Sequence, residues 1–431
     1  MKKRLSICLV FILIFSLLFA LPAFALSPDN TIYADRLYQL GLFKGTDDGY
    51  DLDKTATRAQ AAVMLVRLLG AEQIAQTGNF THPFTDVPDW AAKEIAYLYA
   101  NNLTKGMTQT TFNPDNLCNG KMYATFALRA LEYNDTQGDF NYETSIDDSV
   151  KLGLFSGEYA KLIQGNLVRD DMVLLSYNAL YSNLKGRQTS LFNKLAAAGA
   201  ISSVSLADQN AQTALQSALS RSKTLTSIDT TEEIRVAINT FGVVGYQTAT
   251  INTKMKLIDG KVNAVITQTS ALTTGQAVQT EIYIKDGYMY SQFTVNGALY
   301  KQKQSISTAT QQAPDLSGVD MSTLLKTATG YSGVLDAATS ASLLGHTKDT
   351  YPSLPLEQSA PVGKNVICDF TLSPNGYIQQ LRAMYATVSQ VSAPNSIKIY
   401  YDITTTYNNP GQEVILVFPD LSGYVEAYVV A

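Results

Sequence analysis

Histidine, cysteine and charge are all scarce in this chain. Its histidines are His82 and His346, too few to build a clustered imidazole metal site. Of the 3 cysteines, Cys8 lies in an N-terminal apolar run. Cys118 and Cys368 fall in what read as different domains, so no disulfide is expected and stability has to come from packed cores. Charged residues make up 16% of the chain, against a norm of about 25%. The net charge is −5 and no block of Lys or Arg follows residue 4. That argues against nucleic acid as a partner, because neutralising phosphates takes a basic face. Catalytic signatures are missing too. Gly330-Tyr331-Ser332-Gly333 lacks the spacing of a serine nucleophile elbow, and the S-x-x-K matches at residues 182–185 and 220–223 come without companion motifs. No cofactor is called for.

The chain opens as an export signal. Lys2, Lys3 and Arg4 precede an apolar run over residues 5–20, and Ala23-Phe24-Ala25 supplies the small residues of a cleavage site, so residues 1–25 are expected to be removed after Ala25. The run is shorter than the roughly 20 residues that a span prefers. Nothing later is apolar enough to cross a membrane, so the mature chain is expected outside the membrane, without a span.

Behind the signal a unit repeats. Thr57-Arg58-Ala59-Gln60, Asn119-Gly120-Lys121-Met122 and Val168-Arg169-Asp170-Asp171 each open a segment with helical apolar spacing: Ala61, Met64, Leu65, Leu68 and Leu69 in the first, Tyr123, Phe126, Ala127, Ala130 and Leu131 in the second, Met172, Leu175, Ala179 and Leu180 in the third. Short helices precede them, over residues 34–42 and 91–101 in the first two copies. Gly41, Gly45, Gly106, Gly153 and Gly157 mark the turns. Repeats of this length complete one another's cores, so residues 26–76, 82–136 and 138–186 are expected to pack as one all-α domain.

These residues resemble S-layer homology domains in three tandem copies. Phe84-Thr85-Asp86-Val87-Pro88-Asp89-Trp90 matches the family's F-x-D-v-x-x-W opening. Thr57-Arg58-Ala59-Gln60 is close to its T-R-A-E loop, and the third copy matches more loosely. The resemblance implies a three-pronged bundle that holds a secreted protein to a bacterial cell wall or S-layer surface. Such bundles bind secondary cell-wall polysaccharide, often pyruvylated, in grooves between the prongs. Carried over, Arg58 and Arg169 would hold the carboxylate or ketal of the sugar, for which a guanidinium fork is suited. Trp90 would stack on a ring, Asp86 would bond hydroxyls or orient an arginine, and Thr57 and Gln60 would complete the site. Read without the family, Arg58 and Arg169 could serve as local caps or salt bridges, and Trp90 could be core. The second copy departs from the pattern, with Gly120 in place of the arginine and Lys121 beside it. The first lacks the aromatic opening, and one groove is therefore expected to be weak.

Residues 187–229 read as a helical connector, either packed or a spacer. From about residue 230 to 431 the period changes to two. Asp286-Gly287, Asn296-Gly297 and Asn375-Gly376 punctuate alternating runs, the strongest short hairpin signal available. Strands are expected over 247–257, 261–269, 280–285, 288–295, 298–302, 365–372, 377–388, 398–406 and 413–418, with a helical insertion over 317–344. The result is an α+β domain built on an antiparallel meander. Its long strands weakly resemble the half-barrels of lipoprotein carriers, which implies an apolar or lipid ligand; an ordinary filled core fits equally well. Glu281, Asp286, Glu357, Asp369, Asp402 and Glu413 leave a polysaccharide hydrolase as the alternative, since a glycosidase needs only two carboxylates. The leading expectation is a non-enzymatic binding or structural module.

Overall fold

The computed structural model describes residues 29–201, 206–240, 243–271, 277–295, 298–306, 318–336, 339–340, 359–361, 363, 366–392 and 395–426. The signal segment, the Asn296-Gly297 turn, Glu357 and His346 lie outside them.

The three periodic segments form helices α2 (Arg58–Leu68), α5 (Gly120–Ala130) and α8 (Arg169–Leu180). The shorter helices α1 (Thr31–Gln39), α4 (Asp89–Ala100) and α6 (Ser145–Lys151) precede them, with α3 (Glu72–Thr77) and α7 (Gly157–Leu162) as additions that the periodicity did not announce. Just before each long helix the chain joins a closed ring of backbone hydrogen bonds. The N–H of Ala56 donates to the Leu167 carbonyl at 3.2 Å, that of Leu167 to Cys118 at 2.8 Å, and that of Cys118 to Ala56 at 2.8 Å. All three residues are fully buried, where unpaired amides would be costly. The ring brings the starts of α2, α5 and α8 to one place and fixes which copy each start faces.

Residues 227–426 build one 13-stranded sheet. Its long strands are β1 (Ser227–Thr240), β2 (Val243–Ile258), β3 (Lys261–Ala271), β4 (Ala277–Lys285), β5 (Tyr288–Val295), β6 (Ala298–Ser305), β10 (Ile367–Leu372), β11 (Ile378–Ser392) and β12 (Asn395–Tyr407). Four short pieces are β7 (Leu325–Lys326), β8 (Tyr331–Val334), β9 (Ser359–Pro361) and β13 (Val425–Glu426). The order is β13-β6-β5-β4-β3-β2-β1-β12-β11-β10-β8-β7, with β9 beside β11. Pairing is antiparallel except between β13 and β6. Asp286 and Gly287 both take positive φ between β4 and β5, as do Asp259 and Gly260 between β2 and β3, the signature of tight hairpin turns that twist with the strands.

Alternation along the central strands buries both faces. Ile234 and Val236 of β1 and Ile399 and Tyr401 of β12 meet α10 (Gln209–Ser222), which contributes Ala211, Leu215, Ala218 and Leu219. Ala237, Met384, Ala386 and Tyr400 turn the other way and share one core with the helical region. The helical copies are therefore not a free-standing all-α bundle. The connector is no spacer either: α9 (Leu191–Ala197) packs on α8 and α10 lies on the sheet.

Three further expectations change. Residues 318–335 form no α-helix. They hold a 3-10 turn and the β7–β8 hairpin, whose turn residue Gly330 approaches β10 so closely that a Cβ there would lie 1.9 Å from the Phe370 carbonyl oxygen, while β8 pairs with β10. Residues 413–418 are extended but join no ladder. They cross the sheet as a strap, with Val414 N–H on Ser227 Oγ at 2.8 Å and Phe418 beside the Lys285 ammonium at 5.3 Å. β1 was not anticipated at all: its centre lies beneath α10 on one side and the helical region on the other, so both faces are apolar in places and the alternation is muted.

Candidate functional site

Helix α2 begins with a capping box. Thr57 Oγ accepts from Gln60 N–H at 3.3 Å, and Gln60 Oε1 accepts from Thr57 N–H at 3.0 Å. Both side chains are thus committed to starting the helix. Arg58 is the first residue inside it, and its N–H reaches over to the Asn116 carbonyl of the second copy at 2.7 Å. Its side chain follows the same direction. Nη2 donates to the Lys105 carbonyl at 2.5 Å, and the guanidinium carbon sits 4.5 Å from the Phe112 ring centroid. Arg58 is only 8% exposed, Nε has no partner, and burial pulls the group's pKa below its usual value.

Asp86 does not point a free carboxylate at this groove. Its two oxygens accept the backbone N–H groups of Phe112 and Asn113 at 2.7 and 2.8 Å. Burial works to raise its pKa, but these amides outweigh burial and lower it. Asp86 therefore holds the loop that places Phe112 under Arg58. Trp90 lies in the first turn of α4 and is 57% exposed, so it is no core residue.

Arg169 repeats the arrangement one copy further round. Its N–H donates to the Lys54 carbonyl at 2.9 Å, its Nε to Tyr50 O at 2.8 Å, and its guanidinium carbon is 5.7 Å from the Phe43 ring. Burial lowers its pKa, opposed by nearby Asp51.

The second copy has the same backbone and no head group. Gly120 N–H donates to the Gly165 carbonyl at 3.1 Å, and a Cβ there would lie 1.9 Å from the Ile163 carbonyl oxygen. Lys121 beside it has its ammonium paired with Glu143 at 2.5 Å.

Charge accounting separates these arginines from the others. Arg36, Arg67, Arg129, Arg187, Arg235 and Arg382 each pair with a carboxylate. Among the described residues, no carboxylate forms an ion pair with Arg58, Arg169 or Arg221, and of these only Arg221 is exposed. A desolvated guanidinium without a counter-charge is costly unless an anion supplies it. Nothing in the local residue pattern marked Phe112 and Phe43 as the rings beneath these arginines.

Residues 83–120 match the S-layer homology domain family. A cell surface protein of Thermoanaerobacter kivui is 30% identical over 192 residues, 42% of this chain and 24% of that protein. The middle cell wall protein of Brevibacillus brevis is 38% identical over 101 residues, 23% of this chain and 10% of that protein. The chain thus spans a quarter or less of these relatives' length. Among solved structures, LprF from Mycobacterium bovis aligns over 50% of this chain and 99% of its own, at 15% identity and a TM-score of 0.25, too low for any argument about fold or ligand. Residues 83–120 thus match the S-layer homology family, and the relatives similar to this chain are named as cell-surface and cell-wall proteins.

Proposed function

We propose that the helical region is three S-layer homology repeats that tether the chain to an acidic cell-wall polysaccharide through two grooves, headed by Arg58 and Arg169. The supporting observation is the pair of guanidinium groups, Arg58 buried and Arg169 half-buried, each over a phenylalanine ring and at the start of a long helix, with no ion-paired carboxylate among the described residues. An anionic sugar substituent, a carboxylate or a pyruvate ketal, supplies the missing counter-charge, and the helix N-terminus adds to the attraction. At Gly120 there is no room for a side chain to head a third groove. Exposed Trp90 is available to stack on a sugar ring.

The C-terminal sheet displays a binding or structural module rather than an enzyme. Asp369 is paired with Arg36, Asp402 with Arg382 and Glu413 with Lys256, while Glu281 accepts from Tyr283 and Gln292. A hydrolase would need two carboxylates free to trade protons. One observation favours an apolar ligand as a second reading. On the face that α10 covers over β1 and β12, the register carries Ile266, Ile282, Met289 and Phe293 onward across β3 to β5.

The test is co-sedimentation of the mature chain with cell-wall sacculi, intact or stripped of secondary polysaccharide. The whole chain is needed, because the repeats share a core with the sheet. Sedimentation with intact sacculi alone, weakened by Arg58→Ala and by Arg169→Ala, is expected. Equal sedimentation of all three proteins with both preparations would overturn the reading.

A further inference from the structure

The three long helices start differently. Thr57 caps α2 and Asn119 caps α5 through side-chain oxygens, but the corresponding residue of α8 is Val168, which has no acceptor. The turn is stabilised from further inside. Asp171 Oδ2 accepts the Val168 N–H at 3.4 Å. Asp171 Oδ1 accepts the Tyr159 hydroxyl at 2.7 Å. Asp170 Oδ1 accepts the Asn30 N–H at 2.6 Å. Both acids are buried, at 6% and 9% exposure, and two adjacent carboxylates repel one another when desolvated.

The charge that allows this comes from the other domain. Lys398 of β12 places Nζ 3.1 Å from Asp170 Oδ2 and 3.0 Å from Asp171 Oδ1, 5.5 Å above the Tyr159 ring. The same turn sets Arg169, whose N–H is fixed on Lys54 O while the Asp170 N–H is fixed on Leu52 O, each at 2.9 Å. In the first copy the equivalent positions are Ala59, buried in the helical core, and Gln60, which closes its own capping box. That helix start needs nothing from the sheet.

We propose that the sheet domain is a working part of the third-copy anion site: Lys398 is a positioning residue that fixes the first turn of α8 and with it the backbone from which Arg169 reaches its groove. This rests on reading Arg58 and Arg169 as anion-binding heads. It makes the anchor inseparable from the module it carries, and it makes the two working grooves unequal in their dependence on that module.

The experiment uses the mature chain and intact sacculi in two backgrounds. Arg58→Ala leaves the third-copy groove as the one measured, and Arg169→Ala leaves the first. Lys398→Met is expected to weaken sedimentation on the order of tenfold in the Arg58→Ala background, a typical coupling between linked sites. In the Arg169→Ala background it should change little, and Lys398→Arg should restore most of the loss. Asp171→Asn, which keeps an oxygen for Tyr159 and Lys398, serves if Lys398→Met does not fold, with the same background dependence expected. Equal weakening in both backgrounds, or none in the Arg58→Ala background, would overturn the proposal. If neither arginine substitution alone alters sedimentation, the anion-binding reading itself falls, which is a separate result.

Discussion

Arg36 of α1 donates through Nη2 to both carboxylate oxygens of Asp369 on β10, at 2.6 and 2.9 Å, joining residues 333 positions apart. The arginine side chain is 11% exposed and the aspartate 28%. Together with the shared core, this contact makes the helical region and the sheet one cooperative unit. Arg36→Met should cost roughly 1.5–3 kcal/mol, the scale of a hydrogen bond to a charged group left partly buried. Chemical denaturation followed by far-UV and near-UV signals should show one transition in the natural chain. Two well-separated transitions in the unsubstituted chain would contradict a common core.

Gly120 should not tolerate the arginine found in the other copies. Gly120→Ala already brings a Cβ into the Ile163 carbonyl, and overpacking of this kind costs about 1–3 kcal/mol. Gly120→Arg is expected to be less stable still and to gain no affinity for sacculi. A stable Gly120→Arg protein that binds more tightly would show that the groove can open.

Acid should weaken the support beneath Arg58. Asp135 is partly buried, which would raise its pKa, but Arg129 at 2.9 Å and Lys105 at 3.0 Å outweigh burial and hold it down to about 2, from an ordinary 3.8. A folded pKa below the unfolded one contributes stability above the unfolded value and loses it as pH falls toward the folded value. The contribution is about 2 kcal/mol at neutral pH, lost between about pH 5 and pH 2. Asp135→Asn should flatten the acid limb of the stability curve by about that amount; an unchanged slope would assign acid sensitivity elsewhere. Lys105 also offers the carbonyl that holds Arg58, so the same variant should weaken sedimentation at neutral pH.

Trp90 is expected to separate binding from folding. Being 57% exposed, it should change stability by no more than about 0.5 kcal/mol when replaced by alanine. A fall in sedimentation with unchanged thermal unfolding would assign the ring to ligand stacking. A loss of stability above about 2 kcal/mol would return it to a packing role.

Much of this architecture is written in short stretches of chain. The 3.6-residue apolar period marked α2, α5 and α8, because a helix needs only residues three and four apart to agree on a face. Asp286-Gly287 and Asn375-Gly376 announced their hairpins, because a tight turn is chosen by residues that accept positive φ. Local pattern failed where packing overrode it. The 317–344 stretch has helix-forming residues, yet the close approach of Gly330 to the Phe370 carbonyl accompanies a hairpin over 325–334, with helical turns only at 321–323 and 339–340 among its described residues. The 413–418 stretch alternates like a strand, with Ile415 80% and Val417 76% exposed, but no neighbouring strand lies beside it.

The sequence by itself determined the repeat, the position of each arginine at a helix start, and the change from helical to strand period, all consequences of side chains within a few residues of one another. Only the tertiary structure decided that Arg58 is buried and Arg169 half-buried with no ion-paired carboxylate among the described residues, that a side chain at Gly120 would meet Ile163, and that a lysine from β12 reaches the first turn of α8. Each of these depends on the electrostatics and sterics of groups far apart in the chain. Burial and the partners available to a charge exist only once the chain has folded.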